Sequence, residues 1–444
     1  MFKLFTFLVS LLFVMNFAYA QNQWTYVGAL PSPQPDINSI AVVNQNVIWV
    51  ACNANSVYLT TNAGASWTLK NTGIPTGPLY GIAALDVNKC WVGTGTGSIY
   101  YTSNGGTSWT LQIAVAGSFI NGIHFFDANT GVYTGDPTGT GQPYQNRYTT
   151  DGGTTWTLAP NSPVSAGNEW GVINAWDWTD QSHFWLGSAN VLPSPTTTKI
   201  FRTITGFPGT WLTATITGTG GTAGLYYQAI AFTDNNNGMT GSNGSNIKKT
   251  TDGGATWTAV SNPPGVTTFA AINMHGFKDA SNIIRISLNE TAGYKVFRTT
   301  NFGTTWTDEP LPLQGTGNGL QHMQFIDQNL GYAGGGLGSF FRYGPSTNIL
   351  GNGNNTPSDF VLTQNYPNPF NPSTTIEYSV PRNAFVSVKV YDVMGKEIAV
   401  LVNGQKTAGN YIVQFDGSNI NSGIYFYTLE TDGFKETKKM LLIK

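Results

Sequence analysis

The chain has 444 residues, of which 10% are charged and 13% are aromatic, and its formal net charge is −2. Aromatic content this high argues against an intrinsically disordered chain, and the absence of a basic cluster argues against a nucleic-acid partner. The four histidines and two cysteines show no spacing typical of a metal site, so we expect no metal or cofactor.

The first twenty residues have the pattern of a secretory signal peptide. Lys3 precedes an apolar stretch over residues 4–17, and Ala18 and Ala20 frame a small-x-small cleavage site. We expect the mature chain to begin at Gln21 and to keep no transmembrane segment. The alternative is an N-terminal membrane anchor, for which the apolar stretch is short.

A short motif, Thr-x-Asp/Asn-x-Gly-x-x-Trp, recurs through residues 21–345. Successive motif tryptophans lie 42 to 55 residues apart when a degraded copy ending at Trp211 is included, a period typical of a propeller or a solenoid. The acidic or amide residue and the tryptophan of the five good copies are Asn62 and Trp67, Asn104 and Trp109, Asp151 and Trp156, Asp252 and Trp257, and Asn301 and Trp306.

Each repeat contains short apolar strands separated by Gly and Asn, and seven first strands can be counted against six motif tryptophans. The missing tryptophan is Trp24, which lies 43 residues before Trp67 and therefore in register with the repeat. We predict an all-β fold over residues 21–345, a seven-bladed β-propeller in which the N-terminal strand completes the last blade and closes the ring.

The motif residues suit structural roles. An Asp or Asn side chain accepts hydrogen bonds from the main chain of its own turn, the glycine adopts a positive φ, and the tryptophan buries a large ring between neighbouring sheets. The Asp-x-Asn-x-Gly segments that begin at Asp127, Asp234 and Asp327 suggest calcium loops, but their recurrence at one repeat position favours turns.

The sequence changes character after the repeats. Residues 346–358 form a linker rich in Gly, Asn, Ser and Pro. Residues 359–444 contain no tryptophan and show alternating patterns at 375–380, 386–392, 411–416, 423–430 and 438–443. Period-two alternation over this length predicts a small Ig-like β-sandwich.

Both parts resemble known families. The recurring motif resembles the Asp-box, or BNR, repeat of sialidases, sortilin, xyloglucanases and photosystem-assembly propellers, and this resemblance implies a propeller without implying catalysis. The segment 365–372 (NYPNPFNP), with 390–396, 423–425 and 438–441, resembles a type IX secretion C-terminal sorting domain of type A. That resemblance implies that residues 359–444 engage the type IX machinery, that the cargo is anchored at the surface or released, and that the source is of Bacteroidetes type.

Residues that break the repeat are the candidates for function. Insertions at 136–145 and 188–198 predict a rim on one face, where Tyr144 and Trp170 would bind a glycan or a protein. Amides occupy one equivalent position before the first strands and would line the channel mouth: Asn38, Asn121, Gln228, Asn273 and Gln321.

Two alternatives to a binding protein stay open. Asp136 and Glu169 lie in loops that share one face of a propeller, so they could serve as the paired carboxylates of a glycoside hydrolase. A scaffold without a ligand is the third hypothesis. The sialidase mechanism is excluded because the arginines recur at a repeat position and do not form a cluster.

The remaining reactive residue types have structural interpretations. His124, His275 and His322 lie on or beside first strands and are expected in the core or along the channel. Cys52 and Cys90 occupy different repeat positions, which favours two buried thiols over a disulfide, although export makes a disulfide possible.

Overall fold

A computed structural model of the chain describes residues 22–75, 77–222, 224–291, 293–312, 319–345, 359–365 and 368–443. The predicted signal peptide and the predicted linker lie outside the described residues. The chain divides between residues 351 and 352 into two compact units. Within the described ranges, the regular elements are strands, apart from one turn of 3-10 helix at Gly336–Gly338.

The first unit consists of strands in consecutive groups of four, here called sheets 1 to 7. Sheet 1 contains β2 (Ile37–Val42), β3 (Ile48–Cys52), β4 (Ser56–Thr60) and β5 (Thr68–Leu69). Sheet 2 contains β6 (Leu79–Ala84), β7 (Cys90–Thr94), β8 (Ser98–Thr102) and β9 (Thr110–Ala114). Sheet 3 contains β10 (Ile120–Phe125), β11 (Gly131–Gly135), β12 (Arg147–Thr149) and β13 (Thr157–Leu158).

Sheets 4 and 5 follow the same order and are joined by a short strand pairing. Sheet 4 contains β14 (Glu169–Trp178), β15 (Phe184–Asn190), β16 (Thr197–Thr203) and β17 (Trp211–Thr217). Sheet 5 contains β18 (Leu225–Phe232), β19 (Gly238–Ser242), β20 (Ile247–Thr250) and β21 (Thr258–Ala259). A short pairing of β15 with β18, at Ala189 opposite Tyr226, links the two groups.

The last two groups complete the unit. Sheet 6 contains β22 (Ala270–Gly276), β23 (Ile284–Glu290), β24 (Gly293–Thr299) and β25 (Thr307–Asp308). Sheet 7 contains β26 (Leu320–Asp327), β27 (Leu330–Gly335) and β28 (Ser339–Pro345), and its fourth strand is the N-terminal β1 (Asn22–Ala29).

The N-terminal strand closes a ring of sheets. β1 pairs antiparallel with β28, and Trp24 lies opposite Tyr343. The first strand of each sheet packs against the first strand of the next, and β26 of sheet 7 packs against β2 of sheet 1. The closure predicted from the position of Trp24 is therefore observed, and the outer edge of β28 is paired.

The Asp-box turns are held by the predicted hydrogen bonds. The Thr250 hydroxyl donates to Asp252 Oδ1 (2.8 Å) and accepts from the Gly254 N–H (2.8 Å), while the Thr256 N–H donates to Asp252 Oδ1 (2.9 Å). Gly254 has φ +84°, which favours glycine. Partial desolvation alone would raise the pKa of Asp252, but hydrogen bonds from Thr256 and Thr250 outweigh it and lower the pKa to about 2.

The same bonds recur in the copies that begin at Thr60, Thr102, Thr149 and Thr299, whether the second residue is Asp or Asn. In the Asp-x-Asn-x-Gly segments, the carboxylate accepts from main-chain N–H groups of its own turn, as Asp234 does from Asn236 and Asn237. These contacts give both recurring motifs a structural role.

Aromatic side chains pack neighbouring sheets together. Trp91 of sheet 2 stacks on Phe125 of sheet 3, and Trp185 of sheet 4 stacks on Phe232 of sheet 5, each with ring centroids 3.6 Å apart. Such pairs add about 0.5–1.5 kcal/mol each beyond the burial of their area.

Both cysteines lie in this first unit. Cys52 and Cys90 are free and buried, as predicted, and burial raises the pKa of both thiols.

The second unit has two antiparallel sheets that share one core. One sheet contains β29 (Val361–Leu362), β30 (Ser373–Val380) and β33 (Gly409–Asp416), and the other contains β31 (Ala384–Tyr391), β32 (Glu397–Lys406), β34 (Gly423–Thr431) and β35 (Phe434–Leu442). Alternate residues of the strands, such as Val386, Val388 and Val390, are buried. The sequence patterns did not predict β32, whose side chains are half-buried or exposed.

Candidate functional site

The first strands of the ring surround a cavity of about 610 Å³, here called the channel cavity. Every sheet contributes a lining residue, because each first strand turns one row of alternate side chains toward the centre of the ring. The lining extends from Ser39 in sheet 1 to the carboxyl ends of β14, β22 and β26. The cavity is thus a concave surface to which the whole ring contributes.

One wall of the channel cavity is aromatic. Trp176 and Trp178 of β14 stack with ring centroids 4.9 Å apart, and His124 of β10 lies 3.9 Å from Trp178. The two tryptophans share a face because they are two positions apart on a strand. Gly122 leaves the space for this wall, since a Cβ atom there would lie 2.0 Å from Trp176 Nε1.

The three histidines that line this cavity are neutral at physiological pH. Burial lowers the pKa of His124 to about 3 and that of His322 to about 4. Burial, together with the charges of Lys278 and Arg285, holds the pKa of His275 well below its usual value. His322 Nδ1 accepts the Ile40 N–H (3.0 Å), so the proton of this neutral ring lies on Nε2.

A bulge in β14 crosses the channel. Asn174 adopts a positive φ of 58° between the two paired segments of the strand. Its Nδ2 donates to the Asn38 carbonyl (2.9 Å), and its Oδ1 accepts from the Ser39 hydroxyl (3.3 Å). Sheets 1 and 4 lie on opposite sides of the ring, so these bonds span the channel at this level.

The charged side chains at the aromatic end are paired with protein groups. Asp177 Oδ2 accepts from Lys278 Nζ (2.7 Å) and from the Phe232 N–H (2.7 Å). Lys278 Nζ also donates to the Phe232 carbonyl (2.7 Å). The pair therefore adds no net charge to the cavity, but the lining also contains the carboxylates of Asp279 and Asp327. A ligand there meets aromatic groups, neutral polar groups and these two acidic side chains.

The predicted amides lie only partly where expected: Asn273 lines the channel cavity, whereas Asn38, Asn121, Gln228 and Gln321 are not part of its lining. Three of them bond the main chain of the neighbouring sheet and so hold adjacent sheets together: Asn38 donates to Leu79 O (2.9 Å), Gln228 donates to Ala271 O (2.7 Å), and Asn273 accepts from Met323 N (3.1 Å). Asn121 is buried and donates to Asp136 Oδ1 (2.8 Å). Gln321 is exposed.

Tyr144 is also a correction to the predicted rim. Its side chain is buried and packs against Phe201, with ring centroids 5.0 Å apart, because the insertion at 136–145 folds inward. Burial, with the nearby carboxylates of Glu169 and Asp136, raises the pKa of its hydroxyl far above the usual value. Trp170 is 37% exposed, as a rim residue requires.

The two candidate carboxylates are engaged by protein groups. Asp136 Oδ1 accepts from Asn121 and from the Gly171 N–H (2.9 Å), and burial raises the pKa of Asp136 to about 6. Glu169 is buried and pairs with Lys199 Nζ at 2.7 Å. Neither residue lines the channel cavity. Their bonds fix the insertions in place, which is a structural use of both carboxylates.

Trp176 and Trp178 are not among the residues predicted from the sequence to form a site. The segment Ala-Trp-Asp-Trp at 175–178 lies in a first strand, and no other repeat has two tryptophans at alternate positions there. That departure from the repeat was the available signal, since alternate positions on a strand lie on one face.

Two family models match parts of the chain. Residues 364–444 match the secretion system C-terminal sorting domain, and residues 29–134 match the photosynthesis system II assembly factor YCF48. The sorting domain marks the protein for secretion by the type IX system to the cell surface, as predicted. Tyr366 and Pro367 of its opening motif lie outside the described residues. No curated protein matches the chain.

Solved structures of similar fold include two of YCF48. YCF48 bound to D1 peptide is 14% identical with a TM-score of 0.54, and the match covers 74% of this chain and 96% of that chain. YCF48 from Cyanidioschyzon merolae is 15% identical with a TM-score of 0.54, covering 73% of this chain and 99% of that chain.

A third similar structure is the GH74 xyloglucanase from Xanthomonas campestris, which is 12% identical with a TM-score of 0.52 and covers 81% of this chain and 60% of that chain. At these identities, the three likenesses show the fold alone, and that fold is the predicted β-propeller. Across the described ranges, no helix has the length and apolar character needed to cross a membrane.

Proposed function

We propose that this chain is a surface or secreted binding protein whose propeller recognises a glycan or a protein segment in the channel cavity. Its type IX sorting domain supplies the destination. The observation that carries the binding proposal is the wall formed by Trp176, Trp178 and His124 inside a cavity of about 610 Å³. A volume of this order suits a ligand of one or a few small units.

Two further features of the cavity support this function. The bonds of Asn174 span the channel, which favours a ligand that enters from the aromatic end and presents a terminus or a small group. The histidines are neutral and the Asp177–Lys278 pair adds no net charge, so the carboxylates of Asp279 and Asp327 on the lining disfavour an anionic ligand. Flat aromatic faces bind sugar rings and apolar peptide side chains.

Proteins of this fold provide a precedent for both ligand classes. The YCF48 structure is described as bound to a D1 peptide, and the GH74 protein is described as a xyloglucanase. The fold accommodates either activity, so the choice between glycan and protein has to come from binding measurements on this chain.

The experiment is a binding screen of the mature full chain against arrays of glycans and peptides, followed by titration of each hit. Trp178→Ala removes the ring that contacts both Trp176 and His124, so we expect at least about tenfold weaker binding. Trp170→Ala is the matched control, because Trp170 is an exposed tryptophan on β14 outside the cavity lining.

Binding that survives in Trp178→Ala but is lost in Trp170→Ala would overturn the proposed site and would favour the predicted rim site at Trp170. Hydrolysis of the glycans is followed in parallel with Asp136→Asn and Glu169→Gln variants. Product release that depends on both carboxylates would instead favour the hydrolase hypothesis.

A further inference from the structure

Sheet 6 departs from the repeat at one buried position. In sheets 1 to 6, a main-chain hydrogen bond closes the hairpin between the first and second strands, and its acceptor carbonyl lies just before or at the start of the second strand. In sheets 1 to 5, the second residue after that carbonyl is apolar: Trp49, Trp91, Val132, Trp185 and Met239. In sheet 6 that residue is Arg285, which is 1% exposed. Burying a cation costs desolvation free energy that an apolar side chain does not, so an arginine at this position calls for a reason beyond packing.

Arg285 takes over the packing role of the aromatic residues. Its guanidinium lies 4.6 Å from the ring centroid of Phe325 in sheet 7 and 4.1 Å from that of Tyr343. Trp91 and Trp185 contact the first-strand phenylalanine of the next sheet in the same way. Arg285 thus maintains the contact between sheets 6 and 7 and in addition places a positive charge there.

A single carboxylate serves two guanidinium groups here. Glu309 Oε2 accepts from Arg285 Nε (2.7 Å), and Glu309 Oε1 accepts from Arg298 Nε (3.0 Å) and from the Tyr343 hydroxyl (3.1 Å). Around this carboxylate, two cations and one anion leave a local excess of one positive charge, and the exposed Asp308 on the same cavity brings the four charged side chains to neutrality. That excess lies in a largely buried setting, where charge interactions are screened less than in water.

These side chains line a cavity of about 410 Å³ at the closure of the ring, here called the seam cavity; its lining includes Trp24, Arg285, Arg298, Asp308, Glu309 and Tyr343. Two of its buried donors, Arg285 Nη1 and Trp24 Nε1, have no hydrogen-bond acceptor among the described residues. Arg298 is 30% exposed and gives the cavity a cation that solvent reaches. Buried donors of this kind are normally paired, so an acceptor that reached this cluster would complete its hydrogen bonds.

We propose that the seam cavity binds the carboxylate of a small molecule. A carboxylate has only acceptor atoms, its two oxygens match the planar fork of a guanidinium, and its charge complements the local cluster of Arg285, Glu309 and Arg298. Asp308, which lies exposed on the lining, opposes further negative charge and favours a monoanion. This site is separate from the channel cavity, because the two linings share no residue.

The test is calorimetry on the mature full chain with two pairs of probes. Glucuronate is compared with glucose, and N-acetylalanine with its amide, so that the first member of each pair has the carboxylate and the second does not. We expect at least one carboxylate to bind and its neutral partner to bind at least about tenfold more weakly. Which acid binds distinguishes a sugar acid from an amino-acid derivative as the source.

Three variants locate the binding. Arg298→Gln keeps the Arg285–Glu309 pair and should weaken carboxylate binding at least about tenfold. Asp308→Asn removes the opposing charge and should tighten it. Arg285→Met combined with Glu309→Gln replaces the buried ion pair by neutral groups, so it should stay folded and lose carboxylate binding.

Three results would overturn the proposal. They are the absence of binding by both acids up to about 10 mM, equal binding of acid and neutral partner, and unchanged affinity in Arg298→Gln. Trp178→Ala should bind the carboxylate as the unaltered chain does. A failure of the channel proposal is therefore distinguishable from a failure of this one.

Discussion

Substitution of Trp24 by alanine tests whether the N-terminal strand holds the ring closed. The side chain is 3% exposed and makes edge contacts with Phe325 and Tyr343, at centroid distances of 5.7 and 5.4 Å. Burial of roughly 200 Å² at about 25 cal/mol per Å² gives about 5 kcal/mol as an upper value. Measured Trp→Ala losses in cores are about 3–5 kcal/mol, and we expect a loss in that range.

Urea denaturation of the full mature chain, followed by tryptophan fluorescence, measures this loss. All 13 tryptophans precede residue 307, so the signal reports the propeller and not the C-terminal unit. Trp170→Ala removes the same fluorophore from a 37% exposed position and should cost about 1 kcal/mol or less.

The reasoning would be refuted by equal midpoints for the two variants. A Trp24→Ala chain as stable as the unaltered one would show that sheet 7 does not depend on its N-terminal strand.

Three further predictions concern the wall, the turns and the tail. Gly122→Ala places a Cβ atom 2.0 Å from Trp176 Nε1, so it should lower the free energy of unfolding by about 1–3 kcal/mol and weaken ligand binding in the channel cavity. Gly221→Ala is the control: no atom lies within 4 Å of its Cβ position, so it should change neither quantity. The pKa of Asp252 is lowered to about 2 in the folded chain. Its ionised form therefore stabilises the fold above the unfolded pKa of about 3.9, and this stabilisation is lost as the pH falls through about 2. Denaturation between about pH 7 and pH 2 should show this loss in the unaltered chain and not in Asp252→Asn, at no more than about 1 kcal/mol for so exposed a group. Deleting residues 359–444 should leave the propeller fluorescence and circular dichroism intact but abolish surface delivery in fractionated cells, and surface delivery of the truncated chain would contradict the sorting role.

Much of the fold was predictable because each repeat carries the same motif residues at similar spacing, so one local signal is seen several times. The Asp-box hydrogen bonds are local, so Thr250, Asp252 and Gly254 specify their turn from sequence alone. Trp24 was identifiable because the repeat length fixes where a fourth strand belongs. The second unit was less predictable, and β32 was missed because its exposed side chains do not need a strict alternation.

The candidate sites were predicted less well, since they depend on contacts between distant residues. Tyr144 lies in an insertion whose inward fold is set by packing on Phe201, which no local pattern encodes. The amides at the position of Asn38 recur, and recurrence is the mark of a structural residue, so their bonds between sheets could have been inferred. Arg285 was visible as a break in the repeat, but its pairing with Glu309 required the structure.

Closure by the first strand also sets an order of events during folding. Asn22 and Asn329 are 307 positions apart and yet share a side-chain hydrogen bond, so β1 can find its partner only when nearly the whole propeller chain is present. Contacts of such long range form slowly because the loop must close before they can stabilise the fold. Until then, β1 and β28 both present unpaired edges that can join other chains. The newly made protein is therefore most prone to aggregate just before its ring closes, and a chaperone that acts on it would do so in that interval.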